Sequence, residues 1–238
     1  MKKIAIFSDI HGNMQALKSI LEDIKRDNFD DVICLGDIIG VGPNPKECLD
    51  IIRETGMKVV KGNHEIYQIN DDLSNNHLTE GERNHRNWIK SLLSEEELNY
   101  FEKLPMYIEL LIDGKLFTFS HFFLNESGNY YEGLPILGTE KQFEVINNIE
   151  TDYMFVGHSH SPFQISNGSL FTCVGSSGCR KDNKTFYTIL EIRSKNVKIY
   201  KKELEYNRSQ FEKELKKKDY PDKELLQEKF FGIKQYNK

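Results

Sequence analysis

Five short stretches of this chain end in side chains that bind metals or move protons. They are Ser8-Asp9-Ile10-His11, Gly36-Asp37, Gly62-Asn63-His64-Glu65, Ser120-His121 and Gly157-His158-Ser159-His160. Each follows a short apolar run that reads as a buried strand. A carboxylate leaving the end of such a strand is costly to desolvate unless it is paired or bound to a metal. The run before Asp37 therefore delivers it to a place where something positive should wait. Asp-x-His and His-x-His each put two donors on one side of a strand terminus, because residues i and i+2 of a strand face the same way. Singly these pairs are weak signals. Together, in this order, they take in five of the chain's seven histidines. If the strand ends lie along one sheet edge, the side chains converge, and the chemistry expected is that of a two-metal hydrolase. His77 and His85 are left over in a polar block and are expected to be solvated.

The elements that must position these residues follow from periodicity and punctuation. Residues 3–7 read as a strand, and Asn13 caps a helix in which Met14, Leu17, Ile20, Leu21 and Ile24 recur at helical spacing. The strand to Asp37 follows, so the chain starts β-α-β with a parallel pair. Pro45 suits the first turn of a second helix, and Gly56 suits its end. Residues 58–61 form the next strand, ending at Asn63 and His64. Residues 66–104 turn charged and helical, with a helix over 82–93 and a capping box at Ser94; this block could lie over the site as a cap. Asp113-Gly114 and Asn167-Gly168 mark tight hairpins, and Ser194-Lys195-Asn196 a third. Residues 139–148 read as a helix, and 153–156 as the strand that leads to His158. From Arg208 the tail is charged and helical, breaks at Pro221, and should dock through Phe211, Leu215, Leu225, Phe230 and Phe231. Parallel strands early and antiparallel hairpins late suggest two sheets with helices outside, held as one domain over 1–238.

The 238 residues are enough for a sizeable core, and the net charge of −5 argues against a broad nucleic-acid surface. Small phosphorylated substrates stay possible, because a metal centre supplies local positive charge. Cys34, Cys48, Cys173 and Cys179 show no CxxC pair, and buried thiols are expected rather than disulfides. No apolar run nears the roughly 20 residues of a membrane span. Met1-Lys2-Lys3 leads into a strand without a signal-peptide core, so a cytoplasmic protein is expected.

The ordered motifs resemble the calcineurin-like metallophosphoesterase superfamily. Asp9-Ile10-His11-Gly12-Asn13 with Ala16-Leu17, and Gly36-Asp37 through Gly42-Pro43-Asn44-Pro45, look like its diadenosine-tetraphosphatase-like bacterial and archaeal branch. Trp88, Leu104-Pro105 and Gly175-Ser176-Ser177-Gly178 with Arg180 fall where that branch has similar residues. Two positions depart from it: Phe122 stands where a glycine is usual, and Glu65 where an Asp is usual. The resemblance implies an α/β fold, a four-layer α/β/β/α sandwich of two mixed sheets with a helical insertion at 66–104 and a helical tail at 208–238. It also implies a dinuclear site. One metal takes Asp9, His11 and His160; the second takes Asn63, His121 and His158; Asp37 bridges them. His64 is the non-ligand that steadies the phosphorane or protonates the leaving oxygen. Such donors suit two divalent ions such as Mn, Fe, Zn or Co, with Mn or Fe favoured. Metals about 3.5–4 Å apart can hold a phosphoryl group and activate a hydroxide.

The reaction expected is hydrolysis of a phosphodiester or of a dinucleoside polyphosphate. The rivals are a phosphomonoesterase or serine/threonine protein phosphatase, and a non-catalytic scaffold of the kind some relatives provide in retromer assembly. The partner expected is a small phosphorylated substrate, with a nucleotide and a homo-oligomer both open. The loop ending in Arg180 could offer N–H groups or a guanidinium to a phosphate. Arg83, Arg86, Trp88 and Lys90 could hold a nucleotide, or else lie on a solvated helix with one buried Trp.

Overall fold

The computed structural model describes residues 1–70, 78–123, 150–194 and 196–234. Strand β1 (Lys2–Phe7) alternates cleanly: Ile4 and Ile6 pack into one core, Ala5 and Phe7 into another. That alternation marks β1 as buried on both faces, between a second sheet and a layer of helices. Helix α1 (Met14–Lys25) starts at Asn13, whose side chain accepts from the Ala16 N–H, and returns the chain to β2 (Asp31–Cys34) parallel to β1. Helix α2 (Pro45–Thr55) has Pro45 in its first turn and a left-handed Gly56 at its end, and leads to β3 (Lys58–Val59), parallel to β2. The expected strand over 58–61 is thus only two residues long, and the chain then turns into α3 (Asn63–Ile69). Helices α4 (Glu80–Leu92) and α5 (Glu95–Lys103) follow, each opened by a capping box, at Thr79 and Ser94.

The second sheet contains β4 (Tyr107–Ile112), β5 (Lys115–Ser120), β6 (Tyr153–Val156), β7 (Phe163–Asn167) and β8 (Ser169–Cys173), in the order β4-β5-β6-β8-β7. The hairpins at Asp113-Gly114 and Asn167-Gly168 form as expected. Between the hairpins, β5, β6 and β8 run parallel to one another, so the sheet is mixed, as expected. Hairpin signals report only neighbours in sequence, whereas parallel pairing needs a long crossover that leaves no local mark. The third hairpin, β9 (Lys184–Arg193) and β10 (Asn196–Glu205), leaves this sheet and joins the first beside β1, giving the order β10-β9-β1-β2-β3. The fold is therefore a mixed α/β fold of two mixed five-stranded sheets with seven helices among the described residues.

Between the sheets, Ile4, Ile6, Ile33 and Leu35 meet Phe117, Phe119 and Phe155, all fully buried. Each such side chain contributes about 1.5–3 kcal/mol of burial, and Phe119 stacks on Phe155 with ring centroids 5.3 Å apart. The outer face of the first sheet packs on α1, α2 and α5 through Leu17, Ile20, Leu49, Ile52 and Phe101. The helix expected over 139–148 lies outside the described residues. The tail forms α6 (Arg208–Lys217) and α7 (Lys223–Phe231). Phe211, Leu215 and Phe231 are buried, but Leu225 is 58% exposed and does not dock the tail. The break at Pro221 resets the helical phase, so a residue counted from α6 does not fall on the buried side of α7. No helix among the described residues is long and apolar enough to cross a membrane.

Candidate metal centre

The parallel strands β1, β2 and β3 of the first sheet, and β5 and β6 of the second, deliver the candidate residues just beyond their carboxyl ends. Asp9 follows β1, Asp37 follows β2, Asn63 follows β3, His121 follows β5, and His158 and His160 follow β6. This is the crevice in which open α/β sheets hold ligands. The backbone there is not strand. Asp9, His11, Asp37, His158 and His160 all have φ between 48° and 65°, the left-handed region that side chains avoid. The convergence expected from strand alternation is produced instead by left-handed turns. Such turns cost on the order of 1–3 kcal/mol each and cluster at functional sites.

The side chains fall into two sets. In one, Asp9 Oδ1 lies 3.6 Å from His11 Nε2 and 3.3 Å from His160 Nε2, and the two imidazole nitrogens are 2.9 Å apart. In the other, Asn63 Oδ1 lies 3.1 Å from His121 Nε2 and 2.8 Å from His158 Nδ1. Asp37 Oδ2 belongs to both, 3.6 Å from His11 Nε2 and 3.3 Å from His121 Nε2.

The donor chemistry fits cations. His11 Nδ1 faces the Ile39 carbonyl at 3.2 Å, and His121 Nδ1 faces the Leu35 carbonyl at 2.6 Å. A carbonyl only accepts, so Nδ1 carries a proton in both rings and Nε2 faces the acids, the orientation typical of metal-bound histidine. Asp9 Oδ1 is buried and has no hydrogen-bond partner. Burial works against charge on His121, yet Asp37 beside it raises the imidazole to about 9. Burial likewise opposes ionisation of Asp9, but His11 and His160 hold its carboxyl well below the usual range. The acids draw positive charge to this point, and a divalent ion satisfies the same demand.

His64 stands at the edge of both sets. Its ring meets that of His11 edge-on at 4.8 Å, and the His64 backbone N–H donates to Asp37 Oδ1 at 2.9 Å. Burial lowers the imidazole to about 3 despite the neighbouring Asp37. Gly40, at φ 98°, lies flat against this ring; any side chain there would overlap Nδ1 of His64.

Several residues differ from their expected place. Arg180 is not brought to the cluster: its Nε and Nη2 donate to Asp182 at 2.9 and 2.6 Å. The loop before it does not offer a nest of free N–H groups. Those of Ser177 and Gly178 donate to the Ser8 and Asp9 carbonyls at 2.9 and 3.0 Å, and that of Cys179 to Ser176 Oγ at 2.8 Å. The loop splints the Asp9 turn instead. His85 is buried rather than solvated, packed beside the Trp88 and Tyr220 rings, while His77 lies outside the described residues. Arg83 donates to the Leu78 carbonyl, and Trp88 stacks on Tyr220 at 5.0 Å.

Sequence reasoning missed two contributors. Glu65 is fully buried, and its carboxylate accepts from the N–H groups of Asp37, Ile38 and Gly62 at 2.9, 3.0 and 2.9 Å, bracing the turn that carries Asp37. Burial pushes this carboxyl up to about 7. Its place after Asn63-His64 was the available signal. Cys179 brings its sulfur within 4.8 Å of donor atoms of His11 and His160; nothing in the spacing of the cysteines marked it. The tail reaches the site as well, with the Phe230 ring 5.8 Å from that of His160.

Known proteins resemble this chain in sequence and in fold. A model of the calcineurin-like phosphoesterase superfamily domain matches residues 1–195. An uncharacterized protein of Methanocaldococcus jannaschii is 36% identical over 182 residues, covering 76% of this chain and 72% of that protein. A metallophosphoesterase from Sphaerobacter thermophilus has a TM-score of 0.69 at 27% identity, covering 92% of this chain and 95% of its own. A hypothetical protein from Pyrococcus horikoshii OT3 shares the fold, with a TM-score of 0.81 at 20% identity over 99% of this chain and 100% of its own.

Proposed function

The chain belongs to the calcineurin-like phosphoesterase superfamily and is a metal-dependent phosphoesterase, and from that premise we propose that it hydrolyses phosphodiester or phosphoanhydride bonds of small, nucleotide-like substrates. One observation carries the reading: two sets of buried donors share Asp37 Oδ2, which lies 3.6 Å from His11 in one and 3.3 Å from His121 in the other. Asp9, His11 and His160 would hold one divalent ion and Asn63, His121 and His158 the other, with Asp37 lying between the two sets. Oxygen and imidazole donors favour Mn or Fe and accommodate Zn or Co. When bound, the two ions grip phosphoryl oxygens and supply a nucleophile at neutral pH.

The remaining work falls to the chain. The Leu35 and Ile39 carbonyls fix the histidine tautomers, and Glu65 holds the Asp37 turn rigid. His64, steadied by Gly40 and the edge of His11, sits beside the centre as the neutral imidazole. From there its ring N–H can hydrogen-bond the transferring phosphoryl group, or, once the ring has taken up a second proton from solvent, the imidazolium can pass one to the leaving oxygen.

The test is a substrate panel on metal-stripped and reloaded protein. It comprises a nitrophenyl diester, a nitrophenyl monoester, a dinucleoside polyphosphate and a phosphopeptide. Hydrolysis should vanish on chelation and return with Mn or Fe, and the diester or dinucleotide should be the best substrate. Full activity without metal would sink the two-metal reading, and a phosphopeptide turned over fastest would make the enzyme a protein phosphatase.

A further inference from the structure

The sulfur of Cys179 stands beside one half of the metal centre and belongs to neither donor set so far. Sγ and donor atoms of His11 and His160 all lie within 4.8 Å of one another. Zinc–nitrogen bonds of about 2.0–2.1 Å and zinc–sulfur bonds of about 2.3 Å put two such atoms on one ion at most about 4.4 Å apart. Any gap from 4.8 Å therefore closes with a shift of about 0.4 Å or less, within reach of one side-chain torsion. A second observation marks the same point. Asp9 Oδ1 is buried, has no hydrogen-bond partner, and lies 3.3 and 3.6 Å from Nε2 of His160 and His11. A buried carboxylate oxygen without a partner calls for a cation there.

The fold fixes the cysteine at this place. Ser176 Oγ donates to the Asp9 carbonyl at 2.8 Å and accepts from the Cys179 N–H at 2.8 Å. Asn13, the cap of α1, donates through Nδ2 to the Gly178 carbonyl at 2.9 Å. Gly178 lies so close to the Ile10 carbonyl that any side chain on it would overlap that oxygen. The residue before Cys179 is thus pressed onto the turn that carries Asp9 and His11, so the sulfur and two of the ligands are held as one unit. Cys179 also packs on the apolar cluster of Ala16, Val41 and Phe211. That role asks only for a small apolar side chain and has no need of sulfur. The second set differs: Asp37, His121 and His158 group without a cysteine among the described residues.

We propose that Cys179 is a further ligand of the ion held by Asp9, His11 and His160, and that its thiolate makes this position favour Zn, Fe or Co over Mn. The proposal rests on the dinuclear reading of the site. As the ion binds, the S–H bond gives way to a sulfur–metal bond and the proton leaves to solvent. Thiolate is a soft donor that Zn and Fe accept well, whereas carboxylate and carbonyl oxygens suit Mn. The centre is therefore unsymmetrical, with a different preferred ion in each half.

The test reads the sulfur directly and needs no turnover. The metal-stripped full chain is titrated with Co(II) under reducing, oxygen-free conditions, and bound cobalt is counted by elemental analysis. The wild type should show a sulfur-to-cobalt charge-transfer band in the near ultraviolet that rises with one of two bound ions. The band should vanish in Cys179→Ser and Cys179→Ala. It should persist in Cys173→Ser, which removes the thiol that donates to the Gly157 carbonyl beside His158. Zn-loaded wild type should show one sulfur at about 2.3 Å by X-ray absorption, lost in Cys179→Ser. The Mn concentration that displaces half of the tightly held cobalt should fall about tenfold or more in Cys179→Ala, since a lost ligand costs at least what a lost orienting group does. Two cobalt ions bound without the band, or a band that survives in both Cys179 variants, overturns the proposal and leaves the dinuclear reading standing. A displacement concentration unchanged in Cys179→Ala overturns it as well. A chain that binds no cobalt overturns the proposal together with the dinuclear reading.

Discussion

Removal of Glu65 is a sharp test of how the centre is held. Its two oxygens take the N–H groups of Asp37, Ile38 and Gly62 at 2.9–3.0 Å, with Ile39 a longer fourth at 3.4 Å. Glu65→Leu keeps the volume and removes every acceptor. Three buried N–H groups left unpaired cost roughly 1–3 kcal/mol each. Against this, the variant no longer buries a carboxyl that the site pushes up to about 7; from an unperturbed 4.5, that relief is worth roughly 3 kcal/mol at neutral pH. The difference leaves a net loss of about 3 kcal/mol, or roughly 6–12 °C in Tm for a chain of this length. Glu65→Gln keeps one oxygen and should lose about half as much. The freed Asp37 turn should also weaken metal binding about 10- to 100-fold, as loss of a group that orients a ligand does. Thermal unfolding with and without chelator, and metal titration by calorimetry, measure the two effects. If Glu65→Leu melts within about 2 °C of the wild type and binds metal equally well, Glu65 does not brace the turn.

Asp37→Ala should drop bound metal below one ion per chain at moderate metal concentration; two ions retained by elemental analysis would show that Asp37 does not span the sets. Gly40→Ala places a methyl group on the His64 ring, so it should slow esters with poor leaving groups on the order of 100-fold, as His64→Gln does, while keeping both metals. The double variant should be no slower than either single one, and additive losses would separate Gly40 from His64. For a nitrophenolate leaving group the penalty in His64→Gln should shrink if His64 supplies a proton, and persist if it steadies the phosphoryl group. Burial opposes ionisation of Glu97, but Lys46 and the Ser94 cap hold its carboxyl down to about 2. Its folded value is depressed, so its contribution is present above about pH 4.5 and lost as pH falls toward 2. The half-exposed Lys46 limits it to about 1 kcal/mol, and urea unfolding of Glu97→Gln between pH 6 and 2.5 should show a flatter acid loss than wild type.

The elements around the site were legible because their signals are local. Asn13, Pro45, Gly56 and Ser94 mark helix ends through bonds or dihedrals that span a few residues, and Asp113-Gly114 sets a turn by itself. The alternation of Ile4 and Ile6 against Ala5 and Phe7 reports two buried faces directly. The candidate ligands were legible too, because each closes a strand-like run with a residue that burial alone cannot explain.

What lay beyond the sequence was pairing between distant segments. That β9 and β10 return to flank β1, and that β6 runs parallel to β5 and β8, depends on which edges are free after the core collapses. His85 read as solvated because its helix is polar; the ring that buries it, Tyr220, is far away in sequence and arrives with the tail. The contact of Phe230 in α7 with His160 has the same origin. Residue type and spacing thus determined which groups could do chemistry and where each strand delivers them. Tertiary structure decided the left-handed turns that aim them, the carboxylate of Glu65 that holds them, and the loop that brings Cys179 beside them, because these come from contacts between segments that no local pattern encodes.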